Sequence, residues 1–187
     1  MDTSTFLKIM SVQRHDFLNH LQVISGLVQL NKTDRVKEYI SQVSREFEKL
    51  GRVGHIAVPE VAAALLEGQY LAGKHQVEVV FEINTNLEKC AVPGPLLGEV
   101  LEKAIIQSLE CLVPPGIPNR LLRITLNESD KKYMLRLYSP DPGSEDEAAR
   151  QSMADIGKML DPYGGKAGIV VSGSGGEIFI LAPRYID

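Results

Sequence analysis

The chain has 187 residues, 44% of them apolar, and a formal net charge of −4. That is enough apolar content for a real core, which excludes global disorder, and too little positive charge for a broad nucleic-acid or anionic-membrane surface. The two cysteines, Cys90 and Cys111, make no disulfide framework, no apolar run reaches the roughly 18–20 residues of a membrane span, and the N-terminus lacks a signal-peptide pattern. The expectation is a cytoplasmic protein whose partners are neither nucleic acid nor membrane.

Phe6, Met10, Phe17, Leu21, Ile24 and Val28 recur at threes, fours and sevens, which predicts an amphipathic helix. Thr3 or Ser4 caps its start, and it runs to about Leu30. Asn31-Lys32-Thr33 is a short link. A second helix, capped by Thr33 or Asp34, carries Val36, Ile40, Val43, Phe47 and Leu50 in unbroken 4-3-4-3 spacing. Two amphipathic helices joined this tightly form an antiparallel hairpin, but two helices cannot cover both of their apolar stripes. Either a second copy completes a four-helix bundle about a twofold axis, or the hairpin packs on its own C-terminal part; the expectation is the homodimer.

Residues 51–58 read as a hinge, loosened by Gly51 and Gly54 and closed by Pro59, which opens a new helix over about 61–71. The β-branched run 77–83 predicts a strand. Pro93 or Pro95 starts a helix through about Leu112, and residues 114–118 form a rigid turn. Two alternating strands, 121–126 and 133–138, make a hairpin. A polar helix over 144–160 begins with the acidic run 145–147, which the helix dipole favours. Two last strands, 169–171 and 177–181, turn at 173–176. The order helix, strand, helix, hairpin, helix, hairpin predicts a mixed sheet with helices on one face. The fold class is therefore α+β: a helical hairpin at 1–52 that dimerises into a four-helix bundle, then an α/β sandwich at 57–187.

The predicted first helix contains Arg14-His15-Asp16-Phe17-Leu18-Asn19-His20-Leu21-Gln22. At about 100° per residue, Met10, Phe17 and Ile24 point one way and His15 almost the opposite way. Asn19, Gln22 and Gly26 share the His15 side, and Ser11 and Lys8 continue it. The helix thus buries a seam and holds an imidazole to solvent. His20 falls nearer the seam and reads as a core or flank histidine. A solvated histidine is most often a plain surface residue, and the spacing alone does not make His15 functional. No HExxH pattern and no Cys/His cluster supports a metal site. His55 and His75 read as surface residues, and the cysteines as small apolar fillers.

The stretch from Arg14 through Leu27 resembles the phosphoacceptor helix shared by citrate/malate-type sensor histidine kinases and the sporulation initiation phosphotransferase B family. The likeness continues through Leu30, Tyr39 and Ile40. The resemblance implies a dimerising hairpin followed by a sandwich like a degenerate histidine-kinase ATP-binding domain. It makes His15 the phosphoacceptor, Asp16 an acid that assists proton removal, and Arg14 and Asn19 neighbours of the incoming phosphoryl group. A response regulator would dock around Leu18, Gln22, Gly26 and Ser11.

Against the kinase pattern the second part departs in three places. Lys103 stands where a metal-holding Asn is expected, and an ammonium cannot coordinate Mg²⁺. Ser139 and Asp141 stand where the adenine-reading Asp and a loop glycine are expected. The glycine-rich lid shrinks to residues 163–168. The resemblance so read implies a phosphotransferase without nucleotide binding. It would pass a phosphoryl group between aspartates of two response regulators through phosphohistidine at His15, in the control of sporulation initiation. No cofactor of its own is expected; Mg²⁺ comes with the regulator. Two alternatives stand beside this: a non-catalytic dimeric module that binds and inhibits a kinase or regulator, and a soluble histidine autokinase with a diverged ATP site.

Overall fold

In the computed structural model, the described residues are 3–114, 116–117, 119–140, 147–173 and 175–185. Two compact units follow one another along the chain, Met1–Arg52 and Val53–Asp187.

The first unit is a helical hairpin of α1 (Thr3–Gln29) and α2 (Thr33–Val53). Its turn is closed by two backbone bonds, Lys32 N–H to Leu27 C=O at 3.0 Å and Asn31 N–H to Val28 C=O at 2.9 Å. Asn31 takes φ 53°. This is a Schellman ending, with asparagine tolerating the left-handed position that stops the helix. The expected cap at Thr33 or Asp34 is displaced. Lys32 C=O already accepts from Val36 N–H, so Thr33 is helical and Asp34 lies in the first turn, where its charge meets the positive helix end.

The expected hinge at 51–58 begins later than the two glycines suggest. α2 continues through Gly51 and Arg52 to Val53. Arg52 complements the helix C-terminus and Val53 is fully buried, which holds the last turn despite the glycine.

The second unit is a five-stranded mixed sheet covered on one face by helices. Its elements are α3 (Pro59–Lys74), β1 (Glu78–Ile83), α4 (Gly94–Leu112), β2 (Leu121–Glu128), β3 (Lys132–Ser139), α5 (Glu147–Leu160), a 3-10 turn at Asp161–Tyr163, β4 (Lys166–Ser172) and β5 (Gly175–Pro183). The strand order is β1-β2-β3-β5-β4, with β1 and β2 parallel and every other pair antiparallel. Alternation decides which face is covered. Leu122, Ile124 and Leu126 on β2, Tyr133, Leu135 and Leu137 on β3, and Ile178, Ile180 and Ala182 on β5 are all buried. They share the core with Leu65 of α3, Leu97, Leu101 and Ile105 of α4, and Ile156 and Leu160 of α5. Each leucine or isoleucine among them, removed from water, contributes about 1.5–3 kcal/mol. The other sheet face carries charges that pair across strands: Arg123 with Glu82, and Arg136 with Glu177 through its Nε and Nη2. A sheet apolar on one side and charged on the other needs helices on one side only.

Two expectations for this unit are corrected. Residues 166–168, read as part of a glycine-rich lid, are strand: Lys166, Ala167 and Gly168 pair with Leu181, Ile180 and Phe179. The Phe179 ring lies directly over Gly168, where an added Cβ would meet it at 2.6 Å, so the glycine makes room for an aromatic on the sheet surface. The turn expected at 173–176 loses its second half to strand, and Ser174 lies outside the described residues. Gly175 and Gly176 belong to β5, and Gly175 at φ 144° packs against the Ser139 carbonyl with no room for a side chain. The start of the expected helix at 144, most of the acidic run 145–147, and Asp141 lie outside the described residues. So do Pro115 and Pro118 of the expected rigid turn.

Candidate functional site

Every residue singled out around His15 lies on α1. Relative to His15, helical geometry places Ser11 and Asn19 within about 40° and Gln22, Gly26 and Lys8 within about 20°, with Leu18 about 60° away. Arg14 and Asp16 flank this stripe about 100° to either side. Ser11, Arg14, His15, Asp16, Leu18, Asn19 and Gln22 are exposed and Gly26 is half-buried. An added Cβ at Gly26 would meet nothing within 4 Å, so the glycine lowers the surface of the same stripe about three turns beyond His15 without serving internal packing.

The His15 side chain is 74% exposed and that of Asp16 is 62% exposed. Two groups address the same ring nitrogen. Asn19 Nδ2 lies 3.1 Å from His15 Nδ1, one helical turn on. Asp16 Oδ1 lies 3.6 Å from that nitrogen, too far for a hydrogen bond but close enough for its charge to be felt. Among the described residues, Nε2 has no partner. An amide nitrogen at Nδ1 donates to its lone pair and leaves the ring proton on Nε2. A carboxylate near Nδ1 favours the proton there and frees the Nε2 lone pair. The site therefore holds groups that favour each tautomer, and both leave Nε2 facing outward.

His20 is not a free surface imidazole. It is half-buried, and its Nδ1 lies 2.9 Å from the Tyr39 hydroxyl on α2. Sequence reasoning placed it at the seam's flank but missed the partner. A short turn between two amphipathic helices shows that some pair must meet across it, yet not which pair.

In the second unit, Lys103 lies on α4 with its ammonium 2.9 Å from Glu99 Oε1 and 3.6 Å from Met159 Sδ of α5. Ser139 ends β3, is buried, and pairs with Gly176. Among the described residues, no three His, Cys, Asp or Glu side chains are grouped as a metal site would need, and no helix is long and apolar enough to cross a membrane.

Comparison with known proteins bears on both units. The model of the SpoOB-type sensor-kinase α-helical domain matches residues 1–56. Sporulation initiation phosphotransferase B of Bacillus subtilis (strain 168) is 21% identical over 162 residues, spanning 84% of this chain and 83% of that protein. A probable C4-dicarboxylate sensor kinase of the same organism is 27% identical over 107 residues; the match spans 53% of this chain but only 20% of the kinase. Among solved structures, histidine kinase ThkA is similar in two forms. Its nucleotide-free catalytic domain matches with a TM-score of 0.56 at 14% identity, over 69% of this chain and 94% of that one. Its complex with the response regulator TrrA matches with a TM-score of 0.56 at 12% identity, over 95% of this chain and 61% of the kinase. At such identities the likeness is one of fold alone: the sandwich is folded like a histidine-kinase catalytic domain. Residues 1–56 thus match the SpoOB-type sensor-kinase α-helical domain, and the second unit has the fold of a histidine-kinase catalytic domain.

Proposed function

We propose that this chain is a phosphorelay phosphotransferase. It moves a phosphoryl group between aspartates of two response regulators through phosphohistidine at His15, in the control of sporulation initiation. The observation that carries this reading is His15 itself: an exposed imidazole on a stripe of small and polar residues, with Nδ1 attended by Asn19 and Asp16 and Nε2 open. Family and fold support a role in two-component phosphotransfer. The solved complex of ThkA with a response regulator supports regulators as the class of partner.

In the forward step the Nε2 lone pair forms the N–P bond as the P–O bond to the regulator's aspartate breaks, and the electron pair of that bond leaves with the carboxylate. The ring, protonated at Nδ1, gains positive charge, which the Asp16 carboxylate at 3.6 Å stabilises. The second transfer is the reverse, to another regulator's aspartate. Both phosphorylated forms are high in energy, so no nucleotide enters. The chain supplies no cofactor of its own, and Mg²⁺ belongs to the regulator's acidic pocket. The stripe of Ser11, Leu18, Gln22 and Gly26 is the docking surface, and positioning does most of the work. Lys103 speaks against an autokinase: it stands where the resemblance expects a metal-holding Asn, is paired instead with Glu99 at 2.9 Å, and an ammonium cannot coordinate Mg²⁺.

The test mixes an aspartyl-phosphorylated regulator from the same cell with the wild-type chain and with His15→Ala, beside an ATP-only lane. Acid-labile, base-stable label on the wild type alone, with none from ATP, is the expected result. Label from ATP makes the chain a kinase. No label from either donor overturns the relay and leaves an inhibitory binding module.

A further inference from the structure

His20 ties the two arms of the hairpin together close to the proposed phosphoacceptor. Its Nδ1 is 2.9 Å from the Tyr39 hydroxyl. Its ring centroid lies 5.9 Å from that of Tyr39 and 6.1 Å from that of Phe47, the latter edge-on at 66°. Tyr39 and Phe47 are eight residues apart on α2, about two turns, so the imidazole of α1 lies between two rings of its neighbour, one toward each end. Asn19, whose amide reaches the His15 ring, is the residue just before it.

The rest of the seam is apolar, and apolar burial is non-directional: a helix can turn or slip by a fraction of a residue at little cost. A hydrogen bond to a ring nitrogen tolerates no such slip, which is why a single polar contact in an apolar helix seam can set register. We propose that His20 is a positioning residue: its bond to Tyr39 fixes the rotation and register of α1 against α2, and with them the angle at which His15 is offered to a phosphorylated regulator. The proposal rests on the phosphotransfer reading above. It concerns the rate of transfer rather than its occurrence, because neither His20 nor Tyr39 touches the reacting atoms.

The full-length chain is compared with His20→Phe, Tyr39→Phe and the double variant. His20→Phe keeps a ring against Phe47, and Tyr39→Phe removes only the hydroxyl. Excess phosphorylated regulator is titrated, and three quantities are read: the saturated single-turnover rate constant, the half-saturating regulator concentration and the fraction of chains labelled. Misplacement by about 1 Å can cost 100-fold, and a small rotation should cost on the order of tenfold. Each single variant is expected to lose about that much of the saturated rate constant. The double should lose no more than either single, since all three lack the same bond, and the labelled fraction should stay unchanged. A hairpin that was merely destabilised would instead lose labelled fraction and keep the rate constant. Nitrogen-15 spectra of the His20 ring add a second readout, with Nδ1 shifting in Tyr39→Phe when the hydroxyl is lost. Single variants within twofold of wild type, or losses that add in the double, overturn the clamp alone. A wild-type chain that takes no label overturns the phosphotransfer reading and the positioning role with it.

Discussion

His15 is held at one ring nitrogen and left open at the other, and that asymmetry makes Asp16 testable apart from His15. Under the proposed phosphotransfer the ring gains positive charge as the N–P bond forms, and the carboxylate 3.6 Å from Nδ1 would stabilise it. General acid–base groups commonly contribute 10²–10⁴-fold, but this pair is mostly exposed and water screens it, so Asp16→Asn should slow labelling of His15 on the order of tenfold. Quenched single-turnover labelling checks this, with circular dichroism showing the hairpin intact; an unchanged rate would remove Asp16 from the mechanism. The position of His15 was legible in the sequence because seam and stripe are both properties of one helix, and 100° arithmetic separates them. The His20–Tyr39 bond was not, because it joins two helices whose register depends on the turn at Asn31.

Cys90 gives a residue-level prediction of another kind. Burial pushes its thiol pKa above the ordinary value, partly offset by a backbone hydrogen bond at Val92. A raised pKa means less thiolate at any given pH, so in a Cys111→Ser background Cys90 should react with iodoacetamide more slowly than a free thiol at pH 8. Its rate should keep rising beyond the pH at which a free thiol levels off. The linkage has a definite sign. The folded state favours the protonated thiol, so this contribution to stability is complete below the unfolded pKa and is lost as pH climbs through the raised one. A rate equal to that of a free thiol would show that the side chain is open.

At the scale of elements, two glycines with opposite surroundings separate packing from propensity. Gly98 of α4 lies against the first turn of α3, where an added Cβ would meet Glu60 Cβ at 2.7 Å and the Glu60 carbonyl at 3.0 Å. Backbone cannot swing aside, so Gly98→Ala overpacks the α3–α4 contact at a cost of about 1–3 kcal/mol, more than the roughly 1 kcal/mol that alanine gains in a helix. Calorimetry should show the sandwich melting a few degrees lower, at about 2–4 °C per kcal/mol. Gly51 sits in the last turns of α2 with nothing within 4 Å, so Gly51→Ala should raise helix stability by about 0.5–1 kcal/mol. If Gly98→Ala were neutral, the helices would have to move apart freely. The same contrast explains what was legible. Strand and helix order followed from periodicity, and the one-sided sheet from alternation. The hinge at Gly51 and the lid at Gly168 were misplaced because a glycine does not announce its surroundings. Gly51 is carried as helix by the buried Val53 beyond it, and Gly168 is strand because Phe179 needs the space above it.

For the whole molecule the two units differ in whether they close their own cores. Residues 53–187 bury apolar side chains on every layer. The hairpin does not: Phe6, Met10, Phe17, Leu21, Val28, Ile40 and Phe47 are each 46–57% exposed, and Ile9 is the one buried side chain of α1. Such a run exceeds the scattered apolar exposure that ordinary surfaces carry, and helical spacing gathers much of it on one side. Covering a half-exposed side chain of this size gains on the order of 1 kcal/mol, and a twofold axis counts every contact twice. Self-association of the hairpin into a four-helix bundle follows as a prediction with two readouts. Light scattering should give twice the chain mass at micromolar concentration. Thermal unfolding should show a helical transition whose midpoint rises with protein concentration, beside a sandwich transition that does not. Phe17→Glu sets two unpaired charges into the seam, since each copy brings one, and burying even one without a partner costs several kcal/mol. Dissociation should therefore rise at least about 100-fold, by the equivalence of about 1.4 kcal/mol to each factor of ten, while the sandwich transition stays in place. A chain that stays monomeric and whose helical transition ignores concentration would mean that the seam is covered some other way, and the docking surface proposed around His15 would then have to be built from one hairpin alone.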